Sequence, residues 1–367
     1  AETGKRFGRS LDPDTNGYTS ESFEEGTVGL DMTLSLFEGF SRINQVRFRK
    51  MNKERSEWEL KEKQNELAYQ VTDAYYKLIL ERKSLDLALE QSRLSERYLK
   101  QTEVFVELGL KSASDLQEVK ARREGDIYRY QSRGNSSRIA LLHLKQLMNI
   151  QPGDTLAILD TITASQVPPY SVSTVETLYA QSIEILPSIR MIDLKQKAAH
   201  KEYAIAGGAF SPSVFARFTV GSNYYNTAFS ARQLRDNIGK YVGVGISFPL
   251  LSGLQRLTNQ RKLKLNMYRL KNEEELEKQQ LYTDIEQTLL SLHTGYSEHQ
   301  QALSQLDAET LVLKESERKW EEGLISVFQL MEARNRFIAA KAELVRVRLQ
   351  IEMMMKLEKY YRQGTFL

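Results

Sequence analysis

Gly109-Leu110-Lys111-Ser112 and Gly323-Leu324-Ile325-Ser326 decide the architecture, because each follows a long segment with almost nothing in it to stop a helix. Residues 40–108 contain no glycine, and residues 254–322 contain only Gly295. No proline lies between residues 14 and 151 or after 249. Both stretches are rich in Glu, Lys, Leu, Gln and Arg, which are strong helix formers. About 65 residues at a rise of about 1.5 Å make a rod of about 100 Å. A glycine just past a helix is the expected C-cap. Ser112 or Ser114, and Ser326, can then cap the helix that follows. The pattern predicts two long antiparallel helical hairpins, 40–149 with its tip at 109–112 and 254–362 with its tip at 323–326. In the last helix Leu330, Ala333, Phe337, Ala340, Leu344, Val347, Ile351 and Met354 recur at the spacing of a coiled-coil seam. The helix from 113 to 149 is less regular. Arg123, Asp126 and Arg133 stand at equivalent places there, and its faces stay unassigned.

The chain also matches itself at an offset of 214. Gly39 falls on Gly253, Arg42 on Arg256, Arg47 on Arg261, Leu67 on Leu281, Leu78 on Leu292 and Lys100 on Lys314. The tips coincide in the same register, as do Glu118 with Glu332 and Arg122 with Arg336. Two tandem repeats are the simplest reading. The first spans 1–150, a linker spans 151–172, and the second spans 173–367. Within the second, a helix over 173–206, interrupted near Pro187, precedes strands at 212–225 and 241–250. Its counterpart in the first repeat is expected before Ala1, where a helix is missing; the abrupt start reads as a truncated or processed end.

Upstream of each rod the hydrophobic period changes from helical to alternating. Val28, Leu30, Met32, Leu34 and Leu36 share one face, with Gly29, Asp31, Thr33 and Ser35 on the other. The copy sets Val242, Val244, Ile246, Phe248 and Leu250 against Gly243, Gly245, Ser247 and Pro249. A third segment alternates at Val214, Ala216, Phe218 and Val220. Such strands suit a barrel with lipid outside and water inside. A half-buried soluble sheet alternates in the same way. Attachment to long rods favours the barrel, since a few isolated strands build no sheet core of their own. On that reading Val28, Leu30, Met32, Leu34, Val244, Ile246 and Phe248 face lipid. Polar loops at 9–26 and 223–240 read as outward loops.

Composition narrows the function. Lys+Arg 51 against Asp+Glu 48 leaves a net charge of +3, no footprint for nucleic acid. The chain has no cysteine, which excludes disulfides, thiol catalysis and Cys-based zinc sites. No run of about 18 apolar residues offers a membrane-spanning helix. His143, His200, His293 and His299 are scattered without ligand spacing, and no phosphate loop or nucleophile motif occurs. Gly207-Gly208 reads as a linker feature. No enzyme, metal or cofactor is expected. A soluble coiled-coil scaffold shares the heptads and is the alternative of another class.

The repeats of strand, strand, long helix, Gly-Leu tip and return helix resemble the TolC family of outer-membrane efflux proteins. Leu36-Phe37-Glu38-Gly39, Leu250-Leu251-Ser252-Gly253, Phe210-Ser211-Pro212-Ser213-Val214 and the two tips carry the resemblance. The loop Arg9-Ser10-Leu11-Asp12-Pro13 is similar to that of Bacteroidetes members. The resemblance implies an α+β membrane protein and a homotrimer. Four strands per chain would close one twelve-stranded outer-membrane barrel, continued by a periplasmic coiled-coil tunnel. It implies an exit duct for efflux or type I secretion, working with a periplasmic adaptor and an inner-membrane RND or ABC transporter. A duct dedicated to polypeptides is the alternative within the family. By position, Gly109, Leu110, Ser112, Gly323, Leu324 and Ser326 would meet the adaptor, although a hairpin turn with its caps needs the same glycines. Asp115, Glu118, Gln329 and Glu332 would stand at the periplasmic entrance, with half the acidic motif lost at Gln329; solvated helix charges look the same. Trp320 matches an aromatic of the family's tip, or serves packing.

Overall fold

A computed structural model of the chain describes residues 1–11, 15–20, 22–151, 153–159, 167, 173–250 and 254–366. Asp12, Pro13 and Asp14 of the first polar loop, Pro152, Pro168 and Pro169 of the linker, and Leu251, Ser252 and Gly253 before the second rod lie outside the described residues. The strands are β1 (Glu2–Arg6), β2 (Ser10–Leu11), β3 (Tyr18–Thr19), β4 (Phe23–Glu38), β5 (Ser213–Asn226) and β6 (Gly239–Ser247). The helices are α1 (Ser41–Glu107), α2 (Ala113–Leu147), α3 (Val175–Ile185), α4 (Pro187–Gly208), α5 (Ala231–Asp236), α6 (Gln255–Glu321) and α7 (Val327–Gln363). The chain divides into two compact units, one of Ala1–Arg55 and Ile192–Glu273, the other of Ser56–Met191 and Glu274–Leu367.

In the first unit an antiparallel sheet runs in the order β1-β4-β5-β6. Residues directly opposite each other on antiparallel strands share a face. Leu30 lies opposite Val220, Met32 opposite Phe218 and Leu34 opposite Ala216; these in turn adjoin β6, where Phe218 meets Val242 and Ala216 meets Val244. One face of three strands is therefore apolar at the levels of Met32 and Leu34, as the alternation predicts, and it ends at Lys240 opposite Val220 and Ser222 opposite Val28. It stays open: Leu30, Met32, Leu34, Val242, Val244 and Ile246 are all exposed.

The strand limits differ from expectation. A register shift between Ser35 and Phe37 inserts Leu36 as an extra residue, so Phe37 rather than Leu36 lies opposite Val214. Bulges of this kind break strict alternation. β4 begins at Phe23, inside the expected loop, because Phe23 is buried and stacks on Tyr225 with ring centroids 4.9 Å apart. β1 has no apolar alternation to reveal it; pairing to β4, from Glu2 opposite Thr27 to Arg6 opposite Phe23, creates it. β6 stops at Ser247, so Phe248, expected within the strand, lies just past it. Pro249 has no N–H to extend a ladder. The second polar loop contains α5, where the Ser230 hydroxyl accepts from the Gln233 N–H at 3.2 Å.

Pro187 opens α4 directly after Leu186, which is extended. That places the break in the 173–206 helix where a proline fits best, at a first helical position. Gly207-Gly208 is a correction: both belong to α4 rather than to a linker. A Cβ on Gly39, whose φ is +57°, would lie 2.5 Å from the Gly208 carbonyl oxygen. Only glycine serves where two backbones approach so closely. The Ser41 hydroxyl donates to the Ile205 carbonyl at 3.1 Å, fixing α1 against α4 at this crossing.

The second unit holds the apolar cores. Leu178, Leu186, Ile189, Leu281, Ile285, Leu292, Val347 and Ile351 form the largest. Of the expected seam in α7, Leu330, Ala333, Ala340, Leu344, Val347 and Ile351 are buried, with Phe337 and Met354 half-buried. The two hairpins pack through Tyr98, Val119, Trp320, Val327, Leu330 and Met331.

Candidate functional site

The two hairpin tips repeat one another in the hydrogen bonds of their glycine turns and serine caps. The Gly109 N–H donates to the Val106 carbonyl at 3.0 Å and the Leu110 N–H to the Phe105 carbonyl at 2.8 Å. In the second tip Gly323 donates to Trp320 at 3.0 Å and Leu324 to Lys319 at 2.8 Å. This is the Schellman arrangement, which needs a left-handed residue at the glycine. Gly109 and Gly323 supply it with φ of +71° and +76°. In such a motif the residue after the glycine often packs back on its own helix. Leu110 and Leu324 do not: they are 65% and 68% exposed.

The serines complete each turn. Ser112 Oγ accepts from the Asp115 N–H at 3.1 Å, and Asp115 Oδ2 accepts from the Ser112 N–H at 2.9 Å and hydroxyl at 2.8 Å. Ser326 Oγ accepts from the Gln329 N–H at 3.3 Å, while Gln329 Oε1 accepts from the Ser326 N–H at 3.0 Å. Both are reciprocal capping boxes. Of the four candidate entrance residues, Asp115 and Gln329 are thus engaged in caps, and Glu118 and Glu332 are exposed on the first turns beyond. The Ser112 N–H, then its hydroxyl, holds the Asp115 carboxyl below the usual carboxylate range. Lys111 Nζ donates to the Ile325 carbonyl at 3.4 Å and ties one tip to the other.

Trp320 is buried, with its ring edge-on to Tyr98 at 5.3 Å and tilted against Phe105 at 5.6 Å. Its role in this chain is packing between the hairpins. The Tyr98 hydroxyl donates to Glu317 at 2.8 Å.

A buried polar cluster behind the tips escaped the sequence reading. Asp126 on α2 and Arg334 on α7 are each 1% exposed and 3.4 Å apart. Asp126 also accepts from the Ser95 hydroxyl at 2.8 Å and from Arg129 at 3.2 Å. Arg334 donates to the Gln91 carbonyl, and so fastens α7 to α1. Burial pushes the Arg334 guanidinium down, opposed by the charge of Asp126. The irregular charges of α2 are now assigned: Asp126 points inward, while Arg123 and Arg133 pair with Glu96 and Glu81 of α1 at 2.9 and 3.5 Å. A charged residue at a seam position was the one available signal.

In the sheet, the face opposite the apolar one carries Asp31, Thr33, Thr219 and Arg217. Thr219 Oγ1 donates to Asp31 at 2.7 Å. At the far end Arg6 pairs with Glu25 at 2.9 Å and lies 6.0 Å over the Tyr225 ring. Among the described residues no cluster of metal-ligating side chains occurs, and no helix is long and apolar enough to cross a membrane.

The family model described as outer membrane efflux protein matches residues 4–149 and 178–353. Solved structures share the fold at low identity. The Campylobacter jejuni CmeC outer membrane channel superposes with a TM-score of 0.81 at 12% identity, covering 99% of this chain and 76% of that one. The Vibrio cholerae outer membrane protein VceC gives 0.79 at 15%, with 100% and 87% covered. The Neisseria gonorrhoeae MtrE outer membrane channel, in its open state, gives 0.76 at 16%, with 100% and 80% covered. No curated protein sequence matches the chain.

Proposed function

The chain belongs to the outer membrane efflux protein family, and on that premise we propose that it is the outer-membrane exit duct of a three-part export system. As a member of that family it resides in the outer membrane, extends into the periplasm, and conducts rather than catalyses. The observation that carries the proposal is the sheet. Its apolar face is open on three strands, and its outer strands β1 and β6 each leave one edge unpaired among the described residues. Unpaired backbone groups in lipid cost about several kcal/mol each, so a lone four-stranded sheet is no membrane structure. Three chains joined through these outer edges would bring twelve strands into one closed barrel. Val28, Leu30, Met32, Leu34, Val244, Ile246 and Phe248 would then meet lipid, with Asp31 and Thr33 toward the lumen.

In the second unit, Leu110 and Leu324 are apolar groups held out on polar rods by rigid turns. A partner surface that desolvates them is the simplest reason for that placement. The partner is a periplasmic adaptor, which would join the duct to an inner-membrane RND or ABC transporter. Three chains present six such contacts, so weak single contacts gain from multivalency. Gly109, Ser112, Gly323 and Ser326 shape the turns, and Glu118 and Glu332 supply charge beside the entrance.

Detergent-extracted protein examined by native mass measurement should be a trimer from the outer-membrane fraction, and the adaptor should co-purify with it. A stable monomer with native circular dichroism, or recovery in the soluble fraction, would overturn the duct and restore the scaffold reading.

A further inference from the structure

The small net charge of the chain hides a local concentration. Residues 41–53 carry five basic side chains and no acidic one; residues 255–271 carry six and none. Eleven of the 51 basic side chains therefore lie in 30 residues, which leaves 40 against all 48 acidic ones elsewhere. Both stretches belong to the unit that contains the sheet. They follow the strand-to-helix passages directly, at the start of α1 and α6.

Three of these cations recur at the offset of 214: Arg42 with Arg256, Arg47 with Arg261, and Lys50 with Lys264. Arg42 is engaged with Glu38 at 3.2 Å. Arg47, Lys50, Arg261 and Lys264 are exposed and have no ion pair among the described residues. Elsewhere on the rods cations commonly pair with carboxylates three or four residues away, as Lys63 does with Glu66 and Arg318 with Glu315. Arg47, Arg261 and Lys264 have no carboxylate three or four residues away, and Lys50, with Glu54 four residues on, makes no ion pair with it.

Immediately before the cations, each repeat holds a large apolar side chain in the open. Phe40 and Leu254 are equivalent at the same offset, each with φ of +63°, and are 64% and 73% exposed. Phe37 stands edge-on to Phe40 at 5.3 Å, which joins this residue to the apolar face of the sheet. The order along the chain is an apolar strand face, an apolar side chain, then a run of basic side chains that holds these four.

That order matches the order of groups in a glycerophospholipid monolayer. The headgroup region on each side of a bilayer is about 5–8 Å deep. A further Debye length of about 8 Å extends its field. At about 1.5 Å per residue, Lys50 lies about 14 Å along the helix from Ser41, so all four cations fall within this zone.

We propose that Arg47, Lys50, Arg261 and Lys264 form a collar for anionic phospholipid headgroups in the periplasmic leaflet of the outer membrane, with Phe40 and Leu254 seated in the acyl boundary above them. The proposal rests on the membrane-barrel reading given under Proposed function. It commits to lipid rather than to an anionic solute, because the cations follow along the chain directly after the apolar strands and the exposed Phe40 and Leu254. A solute in water would have no use for Phe40 and Leu254.

The test titrates the detergent-held, delipidated trimer with fluorescent phosphatidylglycerol and, separately, with fluorescent phosphatidylcholine. One cation per headgroup corresponds to about fivefold preference for the anionic lipid and two to about thirtyfold. The variant Arg47→Gln/Lys50→Gln/Arg261→Gln/Lys264→Gln should lose that preference, and raising salt should weaken it in the native protein. Phe40→Ser with Leu254→Ser should weaken both lipids alike. Free glycerol phosphate should not compete. Recordings in phosphatidylcholine bilayers separate this proposal from the one beneath it. A native trimer that inserts and conducts there keeps the barrel whatever the headgroup result. Equal affinity of the native trimer for the two lipids overturns the collar. A four-fold variant with unchanged lipid preference but altered ion selectivity also overturns it, and assigns the cations to the tunnel wall.

Discussion

Replacing Asp126 by Asn should open the tip end of the helical unit far more than replacing Arg334 by Met, although the two residues form one ion pair. The difference comes from the partners each leaves behind. Without the Asp126 charge, Arg334 keeps its full charge at 1% exposure with the Gln91 carbonyl, the Met331 sulfur 3.7 Å away and the Tyr98 ring, 5.9 Å from its guanidinium carbon, as its neutral contacts. Breaking a buried pair from one side costs about 3–5 kcal/mol. Without Arg334, the Asp126 carboxylate still accepts from Ser95 at 2.8 Å and from Arg129 at 3.2 Å, and Arg129 is 49% exposed at its side chain and so reaches water. Methionine fills similar space, and the loss should be nearer the value of a charged hydrogen bond, about 1.5–3 kcal/mol. A double variant, Asp126→Leu with Arg334→Met, should fall close to the native protein, since apolar replacement of a whole buried pair is often neutral. Unfolding of a membrane trimer is not a two-state process, so the assay is native-state hydrogen exchange at the α2 and α7 amides around Asp126 and Arg334. At about 1.4 kcal/mol per tenfold, Asp126→Asn should speed exchange about 10²–10³·⁵-fold, and Arg334→Met about 10–10²-fold. Exchange that rises more in Arg334→Met than in Asp126→Asn, or a double variant worse than either, would refute this account of the cluster.

Three further outcomes follow from the same geometry. Met32→Arg should cost about 2–4 kcal/mol near the membrane midplane and block assembly, whereas Thr33→Arg, on the opposite face, should assemble and alter conductance; equal tolerance in a trimer-yield assay would contradict the barrel. Leu110→Asp with Leu324→Asp should preserve the trimer and membrane insertion but abolish export and adaptor co-purification, because neither side chain packs in a core; normal export with the adaptor still bound would reduce the tips to plain turns. Acidification should loosen the first tip alone: Asp115 titrates below its unfolded value, so its contribution is present above the ordinary carboxylate range and lost as pH falls through the lowered folded value, while Gln329 does not titrate. Amide protection at Ser112, measured relative to Ser326, should therefore drop on acidification, and parallel behaviour of the two would count against the cap.

The repeat, the rods, the tip glycines and the apolar strand faces were legible in the sequence because each is a short-range pattern. Helical and extended backbones impose their periods on neighbouring side chains, and a glycine just past a long helix marks a left-handed turn. Even the half-exposed strands of β4 and β6 declared themselves, since the same faces that remain open in this chain are the apolar ones. What the sequence left undecided depends on partners far along the chain. β1 is a strand only because β4 offers it an edge, and Gly208 is constrained only because Gly39 approaches it. Trp320 could serve a surface or a core until Tyr98 and Phe105 were found around it. Asp126 is charged at a seam position, which a pattern registers as an irregularity, and its meaning lies in Arg334, 208 residues away. Periodicity records which way a side chain points; only the tertiary structure decides what it meets there, because burial and charge neutralisation are properties of pairs.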